Sequence, residues 1–377
     1  MGKPLFLILA IVGVSGCMRQ SITNVKQVYL ETVDELTLSL DIPLASPQGT
    51  YCVSTSNDQY LYIAPRSETV IYRFDINTGE IKDRFDLETD GPAGVEPQFS
   101  FTINNDSLIV FPKYASVAYI YDWDNKLFLG KTRIIAKSPC QYSSSSNMKY
   151  VSYAMDRNNI YLPIECDVDH SREDEIKTAK KLLQFNLVNQ ESKLLFSLPE
   201  SFSEIRPSIY ELLLTSYTKD DKELVYNFPT SDSLYVYNIM TEEYSRFIAK
   251  SKLKQVRRNN NGDLDDYFRF ERSPYYSVII YSEEWEMYLR FVKYIDAEIW
   301  ERQRIKSEKD QFLGLLEAER YAVVILDKEF NPIGEQIIDT KELLWPYSYF
   351  FFENHLYLQT LNNETEELKF RAFRIKS

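Results

Sequence analysis

Apolar and aromatic residues fall in short runs, and several runs share one register. Two mostly apolar residues are followed by a variable one, an apolar one, and then Asp or Asn. The register reads Ile71-Tyr72-Arg73-Phe74-Asp75 and Ala118-Tyr119-Ile120-Tyr121-Asp122. It recurs as Leu182-Leu183-Gln184-Phe185-Asn186, Leu234-Tyr235-Val236-Tyr237-Asn238 and Val323-Val324-Ile325-Leu326-Asp327. Short apolar runs bounded by turn residues read as strands. Asp and Asn suit the strand end, because their side chains can bond nearby backbone.

A second strand with a polar lead-in precedes most copies: Asp58-Gln59-Tyr60-Leu61-Tyr62, Asn105-Asp106-Ser107-Leu108-Ile109, Asn158-Asn159-Ile160-Tyr161 and Asp221-Lys222-Glu223-Leu224-Val225. Leu61 to Phe74, Leu108 to Tyr121 and Leu224 to Tyr237 all span 13 positions. Such a repeat predicts a row of similar β units. Six are expected, at about 51–88, 97–135, 147–199, 210–250, 274–339 and 346–375. The last stops short of a fourth strand. The segment Val28 to Leu40 is a strand candidate without a sheet. A ring solves both problems, since closure leaves no exposed edge between the end units. The expected class is therefore all-β: a six-bladed β-propeller closed by an N-terminal strand, with a short helical insertion in blade 5. An irregular β-sandwich or a seven-bladed ring is the alternative.

The N-terminus has a different pattern. Lys3 precedes an apolar run from Leu5 to Val14, too short to anchor in a bilayer. The run ends in Val14-Ser15-Gly16-Cys17, which resembles a bacterial lipobox. The alternatives are an ordinary secretory signal with a chance Cys, or a buried apolar strand. The domain boundaries expected are a signal peptide at 1–16, a tether at 17–27 and one propeller at 28–377. Lipid on Cys17 would hold the protein at a membrane of the cell envelope, with the outer membrane and a periplasmic domain preferred over surface exposure. Acyl chains anchor at about 0.8 kcal/mol per buried CH2.

Composition narrows the rest. Aromatic content of 14%, with 28 Tyr and 22 Phe, favours pleated surfaces. A net charge of −13 lacks the basic footprint that nucleic-acid binding needs. Besides Cys17 there are Cys52, Cys140 and Cys166, which allow at most one intrachain disulfide. Sequence does not choose the pair.

The lipobox, the turn Gly91-Pro92-Ala93-Gly94-Val95, the aromatic strand register and Tyr288-Leu289-Arg290 are together similar to a domain-of-unknown-function family of six-bladed, TolB-like propeller lipoproteins. That resemblance implies a fold and a compartment. It brings no activity and no catalytic residue.

Departures from the repeat point to one face. The 13-position offset stretches to 25 between Ile160 and Phe185, and to 38 between Tyr288 and Leu326. Both insertions fall between second and third strands. The long connection at 250–273 opens at the same end. The loop from Glu165 to Lys177 is acidic, and the connection begins basic, with Lys250, Lys252, Lys254, Arg257 and Arg258. The insertion from Ala297 to Arg320 has roughly helical apolar spacing. This face, the top of the ring, is expected to hold a protein or glycan partner.

Candidate chemistry is sparse. His170 and His355 are the only histidines, which excludes a His-rich zinc site and leaves little for Ser-His-Asp catalysis. Asp263, Asp265 and Asp266, and the pair Asp167 and Asp169, do not match a calcium loop. No metal or cofactor is expected. Arg290 sits in an aromatic strand, where a guanidinium needs an acceptor or a stacking partner. It, Arg257, Arg258 and Trp285 are the candidates for ligand contact, although an internal bridge between blades for Arg290 and core packing for Trp285 are the preferred readings of those two. The functional expectation is a binding or scaffold module. The alternative is a propeller hydrolase or lyase acting on glycan or lactone through carboxylates, with calcium as a conceivable helper.

Overall fold

The computed structural model describes residues 28–41, 51–54, 60–65, 68–97, 99–104, 107–112, 117–134, 140–142, 154–156, 158–166, 175, 178, 180–197, 214–217, 223–229, 231–253, 274–303, 318–338, 348–360 and 366–376. The chain enters on strand β1 (Tyr29–Ser39). The first sheet then follows as β2 (Tyr51–Ser54), β3 (Tyr60–Ala64), β4 (Val70–Asp75) and β5 (Ile81–Asp86). The second is β6 (Phe99–Asn104), β7 (Ser107–Pro112), β8 (Val117–Asp122) and β9 (Leu127–Arg133). The third holds β10 (Cys140–Tyr142), β11 (Ala154–Asp156), β12 (Asn159–Cys166), β13 (Lys180–Asn186) and β14 (Ser192–Ser197).

The fourth sheet is β15 (Leu214–Tyr217), β16 (Glu223–Asn227), β17 (Ser233–Asn238) and β18 (Tyr244–Ile248). The fifth is β19 (Tyr275–Ser282), β20 (Met287–Ile295), β21 (Glu319–Leu326) and β22 (Pro332–Ile338), with helix α1 (Ala297–Gln303) between β20 and β21. The sixth is β23 (Tyr349–Phe352), β24 (His355–Gln359) and β25 (Glu367–Lys376), completed by β1.

The paired strands are antiparallel, and the repeat register is their pairing register. Leu61 faces Phe74, Leu108 faces Tyr121 and Leu224 faces Tyr237. The stretched pairs hold as well: Ile160 faces Phe185, and Tyr288 faces Leu326. The five Asp and Asn residues that close the register each accept from backbone N–H groups just beyond. Asp75 Oδ1 accepts from Asn77 N at 3.0 Å, and Asp122 Oδ1 from Asn125 N at 2.9 Å. Asn186, Asn238 and Asp327 do the same with Val188, Met240 and Glu329. Each turn then passes through positive φ, at Gly79, Lys126, Gln190, Glu242 and Phe330. A local side-chain bond that ends a strand is the device that repeats.

Burial follows strand position. Third strands such as β17 are buried on both faces, and outer ones such as β18 are exposed. Both faces are covered because each sheet packs against two others. Ile71 and Phe85 of the first sheet meet Phe101 and Trp123 of the second. Phe111 meets Leu162 and Leu183 of the third. Tyr161 and Leu182 meet Tyr226 and Phe228 of the fourth. Val225 and Val236 meet Val292 and Val324 of the fifth. Val278 and Ile325 meet Leu356 and Phe373 of the sixth. Leu38 and Phe370 return to Leu61 and Phe74 of the first.

β1 pairs with β25 from Tyr29 opposite Lys376 to Ser39 opposite Glu367. Two glycines let it approach its neighbours. A Cβ on Gly334 would lie 2.0 Å from Val28 O, and one on Gly79 would lie 2.8 Å from Thr37 O. Gln336 extends the contact by imitating a strand: its Oε1 accepts from Leu30 N at 2.7 Å and its Nε2 donates to Leu30 O at 3.0 Å.

Two details differ from expectation. The inner strand of the third sheet comes in two pieces, and β10 begins before the expected 147. β12 is long enough to pair with β10 at one end and β11 at the other. The helical insertion is α1, capped by Asp296 Oδ1, which accepts from Glu298 N and Ile299 N at 3.0 and 3.1 Å. Residues 304–317 of that insertion lie outside the described residues. No helix among the described residues is long and apolar enough to cross a membrane.

Candidate functional site

Arg290 is placed differently from the ligand contact considered for it. Along β20, Tyr288 and Val292 pack toward the fourth sheet, and Leu289 and Phe291 toward the sixth. Side chains alternate along a strand, so Arg290 enters the seam with the fourth sheet. It is fully buried. Nε donates to Asn227 Oδ1 at 3.1 Å. One terminal nitrogen donates to Ala249 O at 2.7 Å and Asp232 O at 3.3 Å. The other donates to Ser231 O at 2.7 Å and Ser233 O at 3.2 Å. A guanidinium has five N–H donors, and all five are used here. The cation also lies 3.3 Å over the Tyr276 ring. Burial pulls its pKa down from 12.5 to about 10, so it stays charged at neutral pH. Arg290 is a clamp between sheets with no donor left for a ligand.

The clamp supports the root of the 250–273 connection. Tyr276 Oη donates to Asp232 Oδ1 and accepts from Ser251 N. Ser251 Oγ also bonds Glu335, whose carboxylate accepts from Lys252 N. Arg257 and Arg258 lie outside the described residues, as do Cys17, His170 and Asp263 to Asp266. Near the start of the insertion between β20 and β21, Lys293 Nζ lies 2.7 Å from Glu319 Oε2 in a buried pair.

Trp285 has open surroundings. It stands in the β19–β20 turn, where its backbone N–H donates to Ser282 Oγ at 3.2 Å. Its indole N–H donates to Asn354 O at 3.3 Å, and its ring meets Phe351 edge-on at 5.5 Å. These contacts fix a half-buried ring at the seam of the fifth and sixth sheets. It lines a cleft of about 440 Å3 with Glu284, Met287, Glu353, Asn354, His355, Arg374 and Ile375. Two-residue turns at positive φ favour tight hairpins; Glu353 and Asn354 form such a turn, with Phe352 opposite His355.

Charge is divided across this cleft. Glu31 of β1 takes Arg374 Nη2 at 2.6 Å and Lys376 Nζ at 2.7 Å. The bonds from Lys376 and Arg374 hold the Glu31 carboxyl below its usual range. Glu284 and Glu353 have no ion pair among the described residues. Sequence reasoning singled out Trp285 and missed Glu284, Glu353 and Arg374. A usable signal existed: turns between first and second strands share one end of the sheets, so the Trp285 and Asn354 turns had to be neighbours.

Among the described residues, no group of three or more His, Cys, Asp or Glu is placed to hold a metal ion. The cleft offers an aromatic surface, two carboxylates, an amide, an imidazole and a guanidinium.

A profile for a domain of unknown function, DUF4221, matches residues 27–337. The chain belongs to the DUF4221 family. A DUF4221 member from Bacteroides vulgatus ATCC 8482 has a crystal structure similar to this one, with a TM-score of 0.73 at 18% identity, covering 93% of this chain and 99% of that one. A candidate exported protein of Bacteroides fragilis NCTC 9343 follows at TM-score 0.55 and 13% identity, covering 92% and 96%. A β-propeller domain of Myceliophteria thermophila is a looser likeness, at TM-score 0.43 and 9% identity over 89% and 99%. No curated protein matches the chain. The fold of this chain is all-β and, from the way successive sheets pack and the sixth meets the first, propeller-like; the cleft belongs to a member of a family of unknown function.

Proposed function

We propose that this DUF4221 protein is a lipid-anchored, six-bladed propeller of the cell envelope that binds a glycan in the cleft around Trp285. The ring reading rests on the six apolar seams, the last of which joins the sixth sheet to the first. It rests also on β1 acting as the fourth strand of the sixth sheet. The anchor reading rests on Lys3, the apolar run and Val14-Ser15-Gly16-Cys17. A candidate exported protein with a similar fold is consistent with it.

The observation that carries the binding reading is the cleft itself. Its volume suits a small ligand or the end of a larger one. A fixed indole offers a flat apolar surface for a sugar ring. Glu284, Glu353 and Asn354 supply hydrogen-bonding groups at its rim. The expected top-face partner involves loops outside the described residues, whereas this cleft opens at the opposite, hairpin end.

The same end faces the anchor. β1 starts there, opposite the last residues of β25. Ten residues separate Cys17 from Val28. At about 3.5 Å per extended residue they reach roughly 35 Å. A lipid on Cys17 would therefore tether the ring from the end at which the cleft lies, within that reach of the membrane.

Two experiments test this. Cys17→Ala should release the protein from the membrane fraction or leave the precursor unprocessed; a correctly cleaved, fully membrane-bound variant would end the anchor reading. Purified protein should bind envelope glycans on an array, and Trp285→Ala should lose them. An unchanged binding profile would remove the cleft from consideration. Turnover of a bound glycan in the same assay would favour the hydrolase or lyase alternative.

A further inference from the structure

The third sheet answers a question that composition left open. Cys140 on β10 and Cys166 on β12 are directly opposed partners in an antiparallel pair. Opposed antiparallel residues have Cα atoms about 4.5–5.5 Å apart. A disulfide accepts Cα separations of about 4.4–6.8 Å. The Cβ atoms must also come within about 3.5–4.5 Å, which favours the closer, non-hydrogen-bonded kind of pair. Asn158 O accepts from Leu187 N on the β13 side, so alternation along β12 turns the backbone groups of position 166 toward β13 as well and makes its pairing with Cys140 the closer kind. Cys52 lies on β2, in the first sheet, and pairs with Ile63 of β3.

We propose that Cys140 and Cys166 form a cross-strand disulfide and that Cys52 remains a thiol. The bond would do something specific in this fold. β10 has three residues, and it is separate from the other inner piece, β11. So short a strand contributes few ladder bonds of its own. Cys166 is the last residue of β12, immediately before the acidic insertion that returns on β13. A covalent link there ties the root of that insertion to the inner edge of the third sheet.

The chemistry is a dithiol–disulfide exchange. A disulfide-bearing oxidant of the oxidising compartment accepts attack by one thiolate, forming a mixed disulfide. The second thiolate displaces it, and the oxidant leaves as a dithiol. Both electrons go to the oxidant, and the two thiol protons are released or taken up by its sulfurs. The presence of the bond in cells rests on the envelope reading; its geometry does not.

The test has two arms on the full chain. Protein purified from its envelope without reductant is alkylated, digested and mapped. The expected result is a peptide linking Cys140 to Cys166 and alkylation at Cys52 alone. In the second arm, reduced folded protein is oxidised in a glutathione redox buffer. The same link should form, Cys52→Ser should leave it unchanged, and Cys140→Ser should abolish it. A linked peptide containing Cys52, or no link in the buffer, overturns the pairing. A link that forms in the buffer but is absent from cell-derived protein upholds the geometry and counts against the envelope reading.

Discussion

On the side of the fifth sheet toward the fourth, Arg290 is sealed beneath Tyr276 with every donor engaged. On the side toward the sixth, Trp285 ends an apolar seam and leaves a cleft beside it. Both residues come from one hairpin, and both are types that recognise ligands. Their difference lies in what remains unsatisfied. The guanidinium has spent its five N–H groups on protein acceptors, whereas the indole has used its single N–H and kept ring surface at the cleft. A charged or aromatic side chain is a recognition element only in proportion to what the fold leaves uncommitted.

The largest expected effect comes from breaking the clamp. Arg290→Met should remove all five bonds and strand their buried acceptors, costing about 3–5 kcal/mol. Arg290→Lys offers three donors in place of five, so it should fall between the two in calorimetry. A methionine variant that melts with the wild type would show that this seam is held by its apolar residues alone.

The opposite seam can be attacked where β1 meets the fifth sheet. Gly334→Ala puts a methyl group where Val28 O now lies. Relief needs backbone movement, with a cost of about 1–3 kcal/mol. Amide exchange should quicken in β1 and β25 before it does in β16 and β17. Uniform exchange would mean that β1 is not pressed against β22.

Trp285→Ala sharpens the contrast from the other side. Because Trp285 is half-buried at the seam's end, its melting temperature should shift less than that of Arg290→Met. Ligand binding should vanish all the same. A large stability loss with intact binding would reverse the roles assigned to the two residues.

The smallest effect is electrostatic. Glu31 has a folded pKa below its ordinary 4.5. Its contribution is complete above that ordinary value and is lost as pH falls through the lower folded one. The carboxylate is exposed, so the gain is slight. Glu31→Gln should match the wild type in strong acid and fall a little below it at neutral pH. Equal stability at both pH values would mean that the contacts with Arg374 and Lys376 position the strand without stabilising it.

Much of the fold could be read in advance, and for a definite reason. Asp75, Asp122, Asn186, Asn238 and Asp327 bond backbone only two to four residues away. A signal that local is written into any sequence that forms it. Their spacing from the preceding strand fixed the register, so even the long pair Tyr288 and Leu326 was legible. The N-terminal strand was legible too, because one sheet lacked a member. Of the site, only Trp285 was seen.

The sequence alone determined the strand rows, their turns and the partner that completes the sixth sheet, since these depend on periodicity and on bonds between near neighbours. Tertiary structure decided the fate of Arg290 and Trp285. Arg290 reaches acceptors 41 to 63 positions away. Trp285 is fixed by a carbonyl 69 positions on. The register of β10 on β12 set position 140 opposite position 166, a strand pair that no spacing rule announced. Distances of that kind are set only when whole sheets pack, because burial and donor saturation are properties of the seam between sheets rather than of either strand.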